Sequence, residues 1–289
     1  MKLKINYYSG AGNLFSVIDN RDMKLDKENL SKLAQVACSK SDSFTIKTEG
    51  LISLNDNYGG KFDVSFFNPD GSSGMMCGNG ARSAVSFIKA IELSKSDLYD
   101  DDSPIDLIIE LAGREYPTTI KGDFINVSFP KQNQLKINFQ ITIDNSYIYG
   151  DFVDVGSPHL VLDFQKILNS KHFSFRYYPL EDIAKPIMSN RELFPEGINV
   201  SIYYVESPQK VYLRTYERGV EAETGACGTA AISTALVLFK KEIIGNSVEI
   251  IPTSRISLNV EINTDQNKEI IGFNLIGTAE KIGEALIEF

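Results

Sequence analysis

Two cysteines, Cys77 and Cys227, each stand directly before a glycine at the start of a segment with helical spacing of apolar residues. The positive end of a helix dipole and the free backbone N–H groups of the first turn favour a thiolate over a thiol. A free thiol titrates near ~8.5, so modest help from such a position gives an appreciable thiolate population at neutral pH. Each of these cysteines can therefore act as a general base.

The glycines that follow, Gly78 and Gly228, let a carboxylate approach the same N–H groups, which makes each helix start half of an anion-binding cradle. Two such cradles facing one small molecule place a thiolate and a thiol on opposite sides of a Cα. One thiol group then removes a proton and the other returns it, which is the arrangement of a racemase or an epimerase. The alternative is that both cysteines are small buried residues, as we expect for Cys38, which has no glycine beside it.

The spacing of apolar residues predicts many short strands and few helices. Helices are predicted over residues 26–39, with Leu30, Leu33, Ala34 and Ala37 on one side, over residues 81–93, and through Ile232, Leu236 and Phe239. Strands are predicted at residues 3–8, 14–19, 62–67, 105–111, 118–121, 124–129, 139–143, 149–155, 199–206 and 210–216. The acidic run at residues 100–102 and His172 are expected at the surface.

The segments 76–84 and 226–234, which contain the two cysteines, match in pattern, lie 150 residues apart, and each open a helix. We therefore predict an α+β protein of two pseudo-symmetric domains, each a curved sheet or barrel wrapped around a central helix, with the active site in the cleft between them. The N-terminal half, with Cys77, is expected to comprise residues 1–129 and about 277–289. The C-terminal half, with Cys227, is expected to comprise residues 130–276.

Composition excludes several classes of protein. The 289 residues are 43% apolar and 23% charged, which is typical of a folded soluble chain. The net charge of −9 repels polyanions, so nucleic acid is not expected as a partner. No stretch approaches the ~20 apolar residues of a membrane span and no signal peptide is recognised, which favours a cytoplasmic protein without membrane contact. Three dispersed cysteines form neither a disulfide scaffold nor a zinc motif, and no metal is expected.

Five short blocks of the sequence carry a family resemblance. Two surround the cysteines and contain Asn68-Pro69-Asp70-Gly71 with Cys77-Gly78-Asn79-Gly80, and Glu217-Arg218-Gly219 with Ala226-Cys227-Gly228-Thr229. The other three are Gly10-Ala11-Gly12-Asn13, Gly156-Ser157-Pro158-His159 and Gly197-Ile198-Asn199-Val200. In this order and spacing they resemble the diaminopimelate epimerase family along essentially the whole chain.

The resemblance implies an isomerase, independent of pyridoxal phosphate, that interconverts L,L- and meso-diaminopimelate for lysine and peptidoglycan precursor synthesis. It implies that Cys77 and Cys227 are the acid/base pair and that His159 and Glu217 adjoin the two thiols as supporting acid/base groups. The substrate-binding residues that it implies are Asn13, Asn68, Gly78, Asn79, Ser157, Asn199, Glu217, Arg218, Gly228 and Thr229. The implied partner is a small-molecule amino acid, with a homodimer left open.

Three positions depart from the family pattern. Leu14 stands where the family usually has Asp, Ser157 where it has Asn, and residues 40–44 lack the usual Gly-rich run. Because position 157 normally helps to bind the distal end of diaminopimelate, these departures concern substrate choice. A racemase for glutamate, histidine or proline therefore stays open. So do two readings from other classes, a non-catalytic amino-acid-binding protein and a thiol redox or sensor protein in which the cysteine pair cycles through a disulfide.

Overall fold

The computed structural model describes residues 2–39, 45–73, 76–93, 103–143, 146–167 and 172–289. The chain divides into two compact units, unit 1 being Met1–Ser128 with Ile276–Phe289 and unit 2 being Phe129–Leu275. Within these described ranges, no helix is long and apolar enough to cross a membrane. The acidic run at 100–102 and the segment at 40–44 lie outside the described residues.

Unit 1 combines strands with two α-helices among its described residues. In chain order these elements are β1 (Lys2–Gly10), β2 (Asn13–Asp19), α1 (Lys27–Ala37), β3 (Leu51–Asn57), β4 (Lys61–Phe67), α2 (Gly78–Ile88), β5 (Ile105–Leu111), β6 (Arg114–Lys121) and β7 (Phe124–Pro130). The predicted apolar face of α1 is confirmed, because the four residues named for it are the buried ones. Helix α2 begins three residues before the predicted start, at Gly78, and a π-helical turn over Lys89–Leu93 continues it.

Unit 2 has the same mixture of elements. They are β8 (Gln134–Ile143), β9 (Ser146–Asp154), β10 (Pro158–Asp163), α3 (Leu180–Ser189), β11 (Asn199–Ser207), β12 (Lys210–Glu217), β13 (Ala222–Glu223), α4 (Gly228–Lys240), β14 (Ser247–Ile251) and β15 (Leu258–Thr264). The last strand, β16 (Ile270–Glu288), begins in unit 2 and belongs to unit 1 from Ile276 onward.

The strands of unit 1 form a closed barrel in the order β1-β2-β3-β4-β5-β6-β7-β16, with β16 pairing back onto β1. Helix α2 is the central helix of this unit. It is buried on nearly every side and packs against β1, β2, β3 and β5. Small residues such as Gly80, Ala81 and Ala84 let the strands approach it closely, and a helix buried all round needs no polar face.

Unit 2 repeats the same pairing pattern in the order β16-β15-β14-β12-β11-β10-β9-β8. The parallel pairs β2–β3 and β4–β5 of unit 1 correspond to the parallel pairs β10–β11 and β12–β14 of unit 2. Parallel neighbours need a crossover connection, and a helix lies in each one: α1 and α2 in unit 1, α3 and α4 in unit 2. Helix α4 is buried from Gly228 to Leu238, so each unit places a cysteine at the start of its central helix.

Helix α3 is the main element that the sequence pattern does not predict. It contains Pro186, which removes a backbone donor and normally argues against a helix interior. Its apolar face, with Leu180, Ile183 and Ile187, packs into the core of unit 2, and this burial stabilises the helix despite the proline. The internal repeat could have predicted α3, because α1 lies in the equivalent crossover connection of unit 1.

Candidate active site

Cys77 is the N-cap residue of α2, with extended backbone angles (φ −117°, ψ 108°). Its Sγ accepts a hydrogen bond from the Gly80 N–H at 3.4 Å, and its carbonyl accepts from the Ala81 N–H at 2.8 Å. The residue is partly exposed. An N–H donor and the positive end of a helix both favour the anionic form of a thiol, as acid/base work at this position requires.

The turn between β1 and β2 lies against the first turn of α2. A Cβ on Gly10 would lie 2.5 Å from the backbone oxygen of Asn79, so only glycine fits where the helix meets the strand. Ala11 (φ 53°) and Gly12 (φ 90°) then turn the chain through left-handed backbone. Asn13 pairs with Gly10 across the turn and is buried. The fold therefore brings Asn13 and Asn79 to the same end of α2 as Cys77.

Asn68 lies in the turn that follows β4. Its Nδ2 donates to the Ser72 Oγ at 2.9 Å, and its backbone N–H donates to the Ser72 carbonyl at 2.9 Å. The side chain therefore closes the turn that leads toward Cys77. Substrate contact by Asn68 stays a prediction.

Cys227 caps α4 with nearly the same backbone angles (φ −127°, ψ 116°). Glu217, at the end of β12, accepts hydrogen bonds from the Cys227 thiol and from the Thr224 hydroxyl. Burial raises the pKa of Glu217 above its ordinary value, and the two hydrogen bonds partly offset that increase. A carboxylate is thus in place to orient the Cys227 thiol and to exchange a proton with it.

His159 lies on β10 and is fully buried. Its Nε2 is 2.9 Å from the Thr229 Oγ1, and that oxygen is 3.4 Å from the Cys227 Sγ. Burial, together with the positive charge of Arg218, lowers the pKa of His159 to about 3. The imidazole is therefore neutral at neutral pH and reaches Cys227 through Thr229. Its Nδ1 has no hydrogen-bond partner within the described part of the chain.

Asn199 organises a second polar group in unit 2. It is the register partner of His159 on the adjacent parallel strand. Its Nδ2 donates to the Ser157 Oγ at 2.9 Å and to the Pro158 carbonyl at 3.1 Å. Its Oδ1 accepts from the Arg218 backbone N–H at 3.0 Å. Ser157 and Arg218, which are expected at the distal end of a substrate, therefore both hydrogen-bond to the amide side chain of Asn199.

The predicted residues of unit 2 are thus connected through hydrogen bonds. Those linked in this way are Ser157, His159, Asn199, Glu217, Arg218, Cys227 and Thr229. In unit 1, Asn13, Gly78 and Asn79 lie at the start of α2 with Cys77, whereas Asn68 lies in the preceding turn. Among the residues the structure describes, no three or more His, Cys, Asp and Glu side chains are grouped to hold a metal ion.

Two polar residues next to the cysteines were not among the predicted site residues. Thr224 donates to Glu217, and Arg82, in the second turn of α2, is fully buried and donates to the Asn79 Oδ1. Arg82 lies within the repeated segment 76–84, and Thr224 lies three residues before Cys227, so the proximity of each to a cysteine in the sequence was known. The sequence did not indicate that these two side chains are buried or which residues they hydrogen-bond to.

The chain is similar to curated diaminopimelate epimerases over most of its length. A family model described as diaminopimelate epimerase matches residues 5–112. The diaminopimelate epimerase of Aquifex aeolicus (strain VF5) is 31% identical over 296 residues, which cover 95% of this chain and 94% of that protein. The diaminopimelate epimerase of Chlorobaculum tepidum (strain ATCC 49652 / DSM 12025 / NBRC 103806 / TLS) is 32% identical over 240 residues, covering 80% and 82%.

Solved structures with much lower sequence identity to this chain show the same fold. A probable proline racemase from Agrobacterium radiobacter K84 matches with a TM-score of 0.72 at 12% identity, covering 99% of this chain and 93% of that one. At this identity the likeness concerns the fold, including its two-part organisation. The 31% identity to the Aquifex aeolicus protein over 95% of this chain shows that the chain belongs to the diaminopimelate epimerase family.

Proposed function

We propose that this protein is an isomerase that converts L,L-diaminopimelate to meso-diaminopimelate by a two-base thiolate/thiol mechanism, without pyridoxal phosphate. The observation that carries the proposal is that Cys77 and Cys227 each cap the buried central helix of their own unit, with a glycine next in the chain. Membership of the family supplies the substrate. The proposal places the reaction in lysine and peptidoglycan precursor synthesis in the cytoplasm, with a small-molecule amino acid as the partner.

The reaction requires one proton to leave a carbon and another to arrive on its opposite face. One sulfur, as thiolate, takes the Cα proton, and the C–H electron pair moves into the adjoining carboxylate. The N–H groups at Gly78–Asn79 and Gly228–Thr229 are suited to hold the charge that develops on that carboxylate. The other sulfur, as thiol, gives its proton to the opposite face of the same carbon. The two sulfurs have then exchanged protonation states, and solvent exchange restores the starting state.

Recognition of the distal end of diaminopimelate is assigned to the polar group around Asn199. Arg218 carries a planar guanidinium that can bind a carboxylate through two parallel hydrogen bonds. Asn199 holds the Arg218 backbone and the Ser157 hydroxyl at fixed positions, at 3.0 and 2.9 Å. Binding both ends of the substrate orients the reacting Cα between its acid and its base.

A racemase for another amino acid, of the glutamate, histidine or proline class, is the second candidate. Ser157 favours it, because a hydroxyl reaches less far than the amide that the family usually has at this position. Arg218 favours diaminopimelate, because it suits a second carboxylate. A thiol redox or sensor role is the less favoured alternative, since it would not need Asn199 or Arg218.

The test is to incubate the purified protein with L,L-diaminopimelate and measure the meso isomer by chiral chromatography, beside glutamate, histidine and proline. We expect conversion of diaminopimelate and its loss in Cys77→Ala and Cys227→Ala. Cys38→Ala is the matched control, because Cys38 is the buried C-cap residue of α1 and hydrogen-bonds to Thr48, so it does not cap a central helix. Near-wild-type turnover in either cysteine variant would refute the two-base mechanism. Faster conversion of another amino acid would favour the second candidate.

A further inference from the structure

A groove on the surface of unit 2 lies apart from the residues of the candidate active site. It has a volume of about 590 Å³ and is formed by the 3₁₀ turn Phe175–Tyr177, parts of β11 and β12, and the turn after β14. None of the predicted site residues lines it. On β12, Tyr212 of the groove precedes Glu217 by five residues, a rise of about 16 Å along a strand. A molecule in the groove would therefore be separate from one held beside Cys227.

Four aromatic side chains line the groove. The rings of Phe175, Tyr204 and Tyr212 form a cluster in which the centroids lie 6.1–6.4 Å apart. The fourth ring, that of Tyr177, is 71% exposed. The guanidinium of Arg176 lies 5.5 Å from the centroid of the Tyr177 ring. An exposed ring and a ring cluster in one groove offer flat apolar surface on which a planar ligand can stack.

One carboxylate braces the walls of the groove. Glu223 accepts hydrogen bonds from Nε and Nη2 of Arg214 at 2.8 and 2.6 Å, and from the Thr253 hydroxyl at 2.7 Å. The Nη1 of Arg214 donates to the carbonyls of Phe175 and Tyr178 at 2.7 and 2.8 Å. The 3₁₀ turn and the turn after β14 are thus both tied to β12 and β13 by hydrogen bonds within the protein. Walls that are fixed in advance reduce the ordering cost of binding a ligand.

Two further cations line the groove without a carboxylate partner. Arg176 and Arg255 are exposed and form no ion pair with any residue that the structure describes. A third cation, Lys210, pairs with Glu206 at 3.2 Å. The protein as a whole has a net charge of −9, so two unpaired guanidinium groups in one groove are a local exception. Their charge favours an anionic ligand.

We propose that this groove is a second binding site and that it takes a mononucleotide. The base stacks against the aromatic side chains, and the phosphate binds the guanidinium groups of Arg176 and Arg255. The volume of the groove lies within the range of about 300–1,000 Å³ that is typical of small-molecule sites. A nucleic-acid strand is a polyanion that the net charge of −9 repels, so a single nucleotide suits the protein better. Stacking does not distinguish the bases, so the ligand class is the nucleoside 5′-monophosphates.

The test is isothermal titration calorimetry of the full-length protein with the four common nucleoside 5′-monophosphates, and separately with their nucleosides and with inorganic phosphate. We expect at least one nucleotide to bind one-to-one and about ten-fold or more tightly than its nucleoside or phosphate alone, because the base and phosphate contacts add. No saturable binding of any of the four nucleotides would overturn the proposal. So would equally tight binding of the nucleoside or of phosphate alone.

Substitutions locate the bound nucleotide. Arg255→Gln and Tyr177→Ala should each weaken binding about ten-fold, because one removes a charged donor and the other a stacking ring. Both side chains are exposed, so both variants should fold, and thermal unfolding near the wild-type Tm checks this. Lys136→Gln and Tyr149→Ala are the matched controls and should leave the affinity unchanged. Lys136 also lies near an aromatic ring and Tyr149 is also exposed, but neither lines the groove.

Arg218→Ala tests whether the nucleotide instead occupies the proposed substrate site. We expect this variant to bind the nucleotide as the wild type does. Lost affinity in Arg218→Ala, with no change in Arg255→Gln and Tyr177→Ala, would place the nucleotide in the substrate site and overturn the proposal. The groove site does not depend on the proposed function, so nucleotide binding by a protein without epimerase activity would refute that function alone.

Discussion

The substitution Glu217→Gln separates the acid/base role of this residue from any role in folding. Glutamine keeps the size and shape of the side chain but is neutral and cannot take a proton. The Thr224 hydroxyl can rotate to accept from the new amide, so that contact survives. The Cys227 thiol loses its ionised acceptor, which is the interaction that supports catalysis.

The size of the effect follows from the hydrogen bond that is lost. A hydrogen bond to a charged group contributes about 1.5–3 kcal/mol, and losing about 2 kcal/mol from the transition state corresponds to a roughly thirty-fold lower kcat.

The stability of the folded Glu217→Gln variant should not fall with its kcat, and at pH 7 it should equal or exceed that of the wild type. Because the folded-state pKa of Glu217 is raised, its stabilising effect is present below the unfolded-state pKa and is lost as pH rises through the folded-state value. A neutral glutamine avoids that loss at pH 7.

The assay is steady-state epimerisation at several pH values together with thermal unfolding at pH 7. We expect a roughly thirty-fold lower kcat in Glu217→Gln with a Tm equal to or above that of the wild type. Glu192→Gln, at an exposed position of the same unit, is the control and should change neither. A kcat within about three-fold of the wild type would refute the assignment of Glu217 to Cys227. A joint loss of kcat and Tm would instead show that the residue is structural.

Three further predictions concern the surroundings of the site. Ser157→Asn restores the family residue and should raise kcat/KM for diaminopimelate relative to glutamate; an unchanged ratio would argue against a distal role. Gly10→Ala places a Cβ 2.5 Å from the Asn79 oxygen and should lower stability by about 1–3 kcal/mol in denaturant unfolding, whereas Gly245→Ala, which meets open space, should not. Burial raises the pKa of Cys38 to about 11, so native protein at pH 8 should leave Cys38 unalkylated while the other two cysteines react.

Local patterns in the sequence predicted the elements that carry the cysteines. Helix α1 buries the face that the spacing of its apolar residues predicted, because the residues that set the helical period are the ones that pack into the core. The cysteine at the start of each central helix followed from the Cys-Gly pair and the small residues after it. Strands β3 and β10, helix α3 and the bounds of the strands that follow α4 were not predicted. Helix α3 contains Pro186, and its stability comes from packing against distant strands.

The contacts between site residues depend on pairings that are distant in the sequence. His159 and Asn199 are neighbours because β10 and β11 pair in parallel, and no local pattern fixes that register. The chain from His159 through Thr229 to Cys227 likewise joins residues 70 positions apart. Arg82 shows the same limit, because a charged residue after glycines reads as a surface position until the barrel that encloses α2 is known.

The two-base mechanism is tested most directly by the fate of deuterium during the first few per cent of turnover. L,L-diaminopimelate is incubated with the protein in D₂O, and mass spectrometry measures deuterium at Cα in the product and in the recovered substrate. Two separate sulfurs predict that the meso product carries deuterium at the inverted carbon while the recovered L,L isomer keeps its proton. Product that retains the original proton, or deuterium entering the recovered substrate as fast as product forms, would show a single base and contradict the mechanism.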